Sequence, residues 1–134
     1  MKAFRARDVM TKPVVSARKN ATGRDITLQL LSGCYSGLPV TDDDDCVVGI
    51  VTEFDLLGLM EQESKVAELT AADIMTREVV TVDVDTPLRE VVTILLDKNI
   101  TRLPVTENKR LVGVISRCDL LRTSLDPEFT FSDS

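Results

Sequence analysis

The residues of this chain best suited to chemistry are two hydroxyl–carboxylate pairs, Thr52 with Asp55 and Ser116 with Asp119. Each pair follows an apolar run, Val47-Val48-Gly49-Ile50-Val51 in one case and Leu111-Val112-Gly113-Val114-Ile115 in the other. A short apolar run fits a buried strand, and a hydroxyl followed three residues later by an acid fits a helix start. A helix start offers unpaired backbone N–H groups and a positive dipole end, both suited to phosphate. The hydroxyl can donate to a phosphate oxygen, and the carboxylate can accept both hydroxyls of a ribose. Gly49 and Gly113 lack a Cβ, which would help backbone and ligand approach. Together the set suits a nucleoside phosphate. The same spacing is also an ordinary capping pattern, so from these residues alone capping and ligand binding both stand.

Other chemistry finds little support. The chain has no His, no GxSxG and no phosphate-binding glycine loop, so no catalytic set can be assembled and an enzyme is not expected. Cys34, Cys46 and Cys118 are odd in number, widely spaced and without a CxxC pair, which predicts reduced thiols in a cytoplasmic protein. Asp42-Asp43-Asp44-Asp45 lacks the spaced ligands and turning Gly of a calcium loop and reads as a solvated turn, with no metal expected. The formal charge of −6 argues against a nucleic-acid partner. No apolar run approaches the roughly 18–20 residues that would cross a membrane. The N-terminus, Met1 to Asp8, has no signal-peptide apolar region.

The elements that must position the two pairs come as one unit written twice. Asp8–Thr41 aligns with Asp73–Thr106 without a gap: Asp8-Val9-Met10-Thr11 matches Asp73-Ile74-Met75-Thr76, and Leu38-Pro39-Val40-Thr41 matches Leu103-Pro104-Val105-Thr106. One residue then drops out before the apolar runs align. The order predicted in each unit is β-α-β-β-α. A first strand is expected near Val14–Ser16 and Val79–Thr81. The first helix covers Thr22–Ser32 and ends near Gly33. In the second unit Thr86 caps, Pro87 opens the helix, and Leu88, Val91, Val92, Leu95 and Leu96 form its apolar stripe. Strand two is Leu38–Thr41 or Leu103–Thr106, strand three Val47–Val51 or Leu111–Ile115, and the last helix Glu53–Met60 or Arg117–Leu125. The fold class is therefore α/β. The 134 residues suit one domain of two motifs, about 8–60 and 73–125, with a connector at 61–71 and a frayed tail at 126–134.

This order of residues resembles the cystathionine β-synthase (CBS) domain, here as a tandem pair, or Bateman module. Its markers are Asp-x-Met-Thr at both unit starts, Leu-Pro-Val on strand two, and Gly-x-x-Thr/Ser-x-x-Asp at the junction of strand three and helix, all twice and in register. The resemblance spans about Ala6 to Leu125 and implies a stand-alone CBS pair, its motifs packed sheet to sheet around a pseudo-twofold axis. It implies further that an adenosine-containing effector (AMP, ADP, ATP or S-adenosylmethionine) sits in the cleft between motifs, as in regulatory and energy-sensing proteins. By resemblance, Thr52 and Ser116 contact ribose or phosphate, and Asp55 and Asp119 hold the ribose hydroxyls. The adenine slot maps to Val15, Ser16, Val80 and Thr81 and to the strand-two entrances Gly37, Leu38, Pro39, Leu103 and Pro104. Thr11 and Thr76 either belong to the site or merely turn the lead-in. Arg102, whose counterpart is Gly37, is implied to bind phosphate at the Asp55 site, which would then prefer phosphorylated ligands. The outer faces of the final helices carry Phe54, Leu57, Leu59, Met60, Leu121 and Leu125, which predicts a homodimer through them. A regulated partner protein is implied, without a membrane. The competing reading is a ligand-free dimerising adaptor.

Overall fold

The protein is described from a computed structural model, over residues 2–12, 14–33 and 36–131. In chain order its elements are β1 (Lys2–Ala3), α1 (Ala6–Val9), β2 (Ala17–Arg18), α2 (Gly23–Gly33), β3 (Gly37–Thr41), β4 (Val47–Thr52) and α3 (Glu53–Glu61). A 3₁₀ turn at Val66–Glu68 leads to α4 (Ala71–Ile74), β5 (Val82–Asp83), α5 (Leu88–Lys98), β6 (Arg102–Glu107), β7 (Arg110–Ser116), α6 (Arg117–Thr123) and β8 (Phe129–Thr130). The class is α/β, as expected, with two three-stranded sheets, β2-β3-β4 and β5-β6-β7. In each sheet the first pairing is parallel and the second antiparallel, with a register shift after Val40 and after Val105.

The chain forms two compact units, residues 15–79 and residues 1–14 with 80–134. Each unit holds one three-stranded sheet, one long helix, and the lead-in helix of the other sequence repeat, and the second also holds the two-stranded β1-β8 sheet. In unit 15–79, Ile26 and Leu30 of α2 pack with Leu38, Val40 and Val51 of the sheet and with Ala71, Ile74 and Met75 of the second lead-in. In the other unit Leu88, Val91 and Leu95 of α5 pack with Leu103, Val105 and Ile115, and Ala6 of the first lead-in completes that core. Ala6 and Ala71 hold equivalent repeat positions, and both are fully buried.

Several local expectations shift. Val14–Ser16 and Val79–Thr81 are not strands. The paired residues are Ala17–Arg18 against Val40–Thr41 and Val82–Asp83 against Val105–Thr106. Val14, Val15, Val79 and Val80 are apolar enough, but among the described residues no neighbouring strand pairs with them. Thr86 does not cap α5: its hydroxyl accepts from Asp83 N at 3.1 Å, and Pro87 occupies the N-cap. Leu96 lies outside the stripe at 75% exposure, and α5 ends at Asn99 in the left-handed region (φ 52°). The described part of the tail, to Phe131, is ordered. Phe129–Thr130 pairs in parallel with Lys2–Ala3, and Phe129 packs edge-on to Phe4 and Phe131 with centroids at 6.0 and 5.0 Å. The acidic turn organises itself: Asp42 Oδ1 accepts from Asp44 N and Cys46 N, and Asp45 pairs with Arg18 at 2.7 Å. Cys46 and Cys118 are free thiols, while Cys34 lies outside the described residues.

Candidate functional site

Each unit contains one strand-to-helix junction of the same build. In unit 15–79, β4 ends at Thr52, an extended residue (φ −114°, ψ 166°) that is the N-cap of α3. Thr52 Oγ1 accepts from Asp55 N at 3.2 Å, while Asp55 Oδ2 accepts from Thr52 N at 2.8 Å and from Thr52 Oγ1 at 3.0 Å. In the other unit, Ser116 Oγ accepts from Asp119 N at 3.2 Å, and Asp119 Oδ2 accepts from Ser116 N at 2.8 Å and Ser116 Oγ at 3.0 Å. These are reciprocal capping boxes. Capping is therefore present at both junctions, and it commits one oxygen of each carboxylate.

Oδ1 is the oxygen left for other chemistry. Thr76 Oγ1 donates to Asp55 Oδ1 at 3.4 Å, and Thr11 Oγ1 donates to Asp119 Oδ1 at 3.2 Å. Both threonines close an Asp-x-Met-Thr lead-in and are fixed by paired backbone bonds. Thr76 exchanges them with Ile50 (3.0 and 2.9 Å) and Thr11 with Val114 (2.8 and 3.2 Å). The lead-in thus docks two residues before the cap, which brings its hydroxyl to the carboxylate. A diol approaching this edge meets Oδ1 rather than an open two-oxygen fork.

The junction glycines have a different task from the expected one. A Cβ on Gly49 would lie 2.4 Å from Met75 Sδ, and one on Gly113 2.5 Å from Met10 Sδ. Each glycine makes room for the lead-in methionine, so the space above it is filled by protein. Asp-x-Met-Thr and the glycine are therefore two halves of one contact, which explains why the chain carries them together twice.

The remaining predicted site residues divide between the units. Gly37 is the cross-strand partner of Thr52, and Leu38 and Pro39 are buried opposite Val51 and Ile50. Arg102, half-buried, is the cross-strand partner of Ser116, and Leu103 and Pro104 are buried opposite Ile115 and Val114. Val15, Ser16 and Val80 are half-buried in extended chain before the short strands, and Thr81 is exposed. Sheet pairing thus brings Gly37 and Arg102 to the capping residues, while Leu38 and Leu103 serve the cores. Sequence reasoning left Thr11 and Thr76 undecided and missed Arg122, whose Nη2 donates to Asp119 Oδ1 at 2.9 Å. The signal for Arg122 was its place three residues after Asp119, where helical side chains meet. Among the described residues no cluster of His, Cys, Asp and Glu is arranged to hold a metal, and no helix is long and apolar enough to cross a membrane.

The CBS domain family model matches residues 6–62 and 71–126. The chain belongs to the CBS domain family. Two solved CBS relatives share the fold and 29% sequence identity. One is the CBS domain pair of protein MJ0100 in complex with 5′-methylthioadenosine and S-adenosyl-L-methionine, with a TM-score of 0.79 over 90% of this chain and 95% of that one. The other is CBSX2 in complex with AMP, with a TM-score of 0.81 over 91% of this chain and 96% of that one. An uncharacterized protein of Methanopyrus kandleri is 28% identical over 124 residues, 91% of this chain. The chain spans 63% of that relative's length, and 22% and 24% of two further curated relatives.

Proposed function

We propose that this CBS pair is a regulatory rather than catalytic module. It binds an adenosine-containing effector (AMP, ADP, ATP or S-adenosylmethionine) through its two strand-to-helix junctions and passes the bound state to a partner protein. The observation that carries the reading is the second oxygen of each capping aspartate. Capping alone needs only Oδ2, yet both junctions also present Oδ1 beside a lead-in hydroxyl. A carboxylate edge next to hydroxyls and a helix start suits a ribose with its phosphate. The adenosyl and AMP complexes of the two structural relatives support the same ligand class. In this reading Thr52, Ser116 and Arg102 contact ribose or phosphate. Val15, Ser16, Gly37 and Pro39 serve the adenine in one unit, and Val80, Thr81 and Pro104 in the other, while Leu38 and Leu103 support these positions from the cores. Regulation requires that the ligand bind two states of the protein unequally.

Thermal denaturation with AMP, ADP, ATP, S-adenosylmethionine and 2′-deoxy-AMP tests this. A ligand at about 100 times its dissociation constant stabilises by about 2.7 kcal/mol. The expected result is a shift with adenosyl ligands that is weakened by the missing 2′-hydroxyl and lost in Asp55→Ala combined with Asp119→Ala. An adaptor that works only through protein contacts would give a flat panel. The exposed Phe54, Leu57 and Met60 of α3 favour that second reading (84%, 57% and 66% exposed).

A further inference from the structure

The two carboxylates differ in what already occupies them. A carboxylate has about four acceptor positions. Asp119 Oδ2 takes Ser116 N and Ser116 Oγ, and its Oδ1 takes Thr11 Oγ1 and Arg122 Nη2. Asp55 Oδ2 takes Thr52 N and Thr52 Oγ1, and its Oδ1 takes Thr76 Oγ1 at the longer 3.4 Å, with no cation on it among the described residues. The position three residues after Asp55 is Gly58, where the other repeat has Arg122. We infer that Arg122 is a specificity-determining latch: it occupies the ligand-facing oxygen of Asp119, so a ribose diol binds more weakly there than at Asp55.

This inference rests on the adenosyl reading of the junctions. The contrast in burial supports it. The Asp119 side chain is only 10% exposed, whereas that of Arg122 is 67% exposed. The acid is fixed by its cap and by Thr11, while the guanidinium lies on the surface and can leave. A diol that claims Asp119 Oδ1 must first displace a charge-assisted hydrogen bond, which is stronger than a neutral one. The same diol at Asp55 displaces at most one long hydroxyl contact. The difference can be transplanted, because a Cβ built on Gly58 meets nothing within 4 Å.

Isothermal titration with adenosine, a neutral diol carrier, tests the latch one site at a time in the full chain. In an Asp55→Ala background, Arg122→Gln should tighten adenosine by roughly threefold, the reach of a mostly exposed ion pair, and Arg122→Lys should stay closer to the parent. In an Asp119→Ala background, Gly58→Arg should weaken adenosine by a similar factor. Salt separates a latch from a merely structural Arg. High sodium chloride screens the exposed pair, so neutral adenosine should bind the Asp119 site more tightly as salt rises, and Arg122→Gln should abolish that dependence. Unchanged or weaker adenosine binding on adding Arg122→Gln to Asp55→Ala, with adenosine still bound by the Asp55 site of Asp119→Ala, overturns the latch and leaves the adenosyl reading intact. If neither adenosine nor AMP binds the wild-type chain, both fall together.

Discussion

The glycine beneath each lead-in methionine shows how closely single residues are matched. Met75 places Sδ, Cγ and Cβ at 2.4, 2.8 and 3.0 Å from where a Gly49 Cβ would stand, so moving the thioether alone does not clear the space. Gly49→Ala should destabilise the protein by about 1–3 kcal/mol in urea denaturation, as overpacked cores do. Met75→Ala removes the obstruction, so the double variant should lose much less than the sum of the two single losses. Strict additivity would mean that strand and lead-in adjust independently. The carboxylates teach a related lesson. Thr52-x-x-Asp55 was legible as a cap because spacing alone determines a capping box. What occupies Oδ1 was not legible, because Thr76 reaches it through the fold from 21 residues away.

Among the elements, α4 offers a test by pH. The Thr70 backbone N–H, and then its hydroxyl, hold the Asp73 carboxyl below its ordinary value of 3.8. A carboxylate whose folded pKa is depressed contributes stability above its unfolded pKa and loses it as pH falls through the folded one. Asp73→Asn should therefore be less stable than wild type at neutral pH, and the gap should close at acid pH below the carboxylate range. A gap independent of pH would show that the side chain acts by shape rather than charge. The C-terminal strand offers a second test. Phe129 is half-buried between Phe4 and Phe131, and Arg89 stands 4.7 Å from the Phe131 ring centroid. Phe129→Ala should cost about 1–3 kcal/mol, less than a fully buried phenylalanine. A tail without a structural role would give no change in denaturation midpoint. The long helices and the β3-β4 and β6-β7 hairpins were legible because periodicity and turn residues act locally. The two-residue strands were not. Ala17–Arg18 and Val82–Asp83 are strands only because Val40–Thr41 and Val105–Thr106 lie alongside them. The tail escaped for the same reason, since Asp126, Pro127 and Ser132 suggest fraying while Phe129 depends on Phe4, at the far end of the chain.

For the whole molecule, the sequence repeat and the compact unit are different divisions of one chain. The repeats run lead-in first, but Ala6 completes the core that holds Leu88 and Ile115, and Ala71 the core that holds Ile26 and Val51. Local pattern cannot specify this exchange, because Asp8-Val9-Met10-Thr11 and Asp73-Ile74-Met75-Thr76 carry the same signals. Only the long-range packing decides which sheet each lead-in meets. Two fragments distinguish the divisions. Residues 15–79 contain one sheet with the lead-in that packs on it, Met75 seated over Gly49 and Thr76 bonded to Ile50. Residues 1–70 contain the same sheet with the lead-in of its own repeat, which belongs to the other core. A chain of about 60 residues is marginal on its own, so small differences in core completeness should be visible. The 15–79 fragment should show the sharper thermal transition and slower amide exchange through β4, including Ile50. If the 1–70 fragment proved equally protected, the two lead-ins would be interchangeable. The exchange would then reflect connectivity alone rather than a match between each methionine and the glycine beneath it.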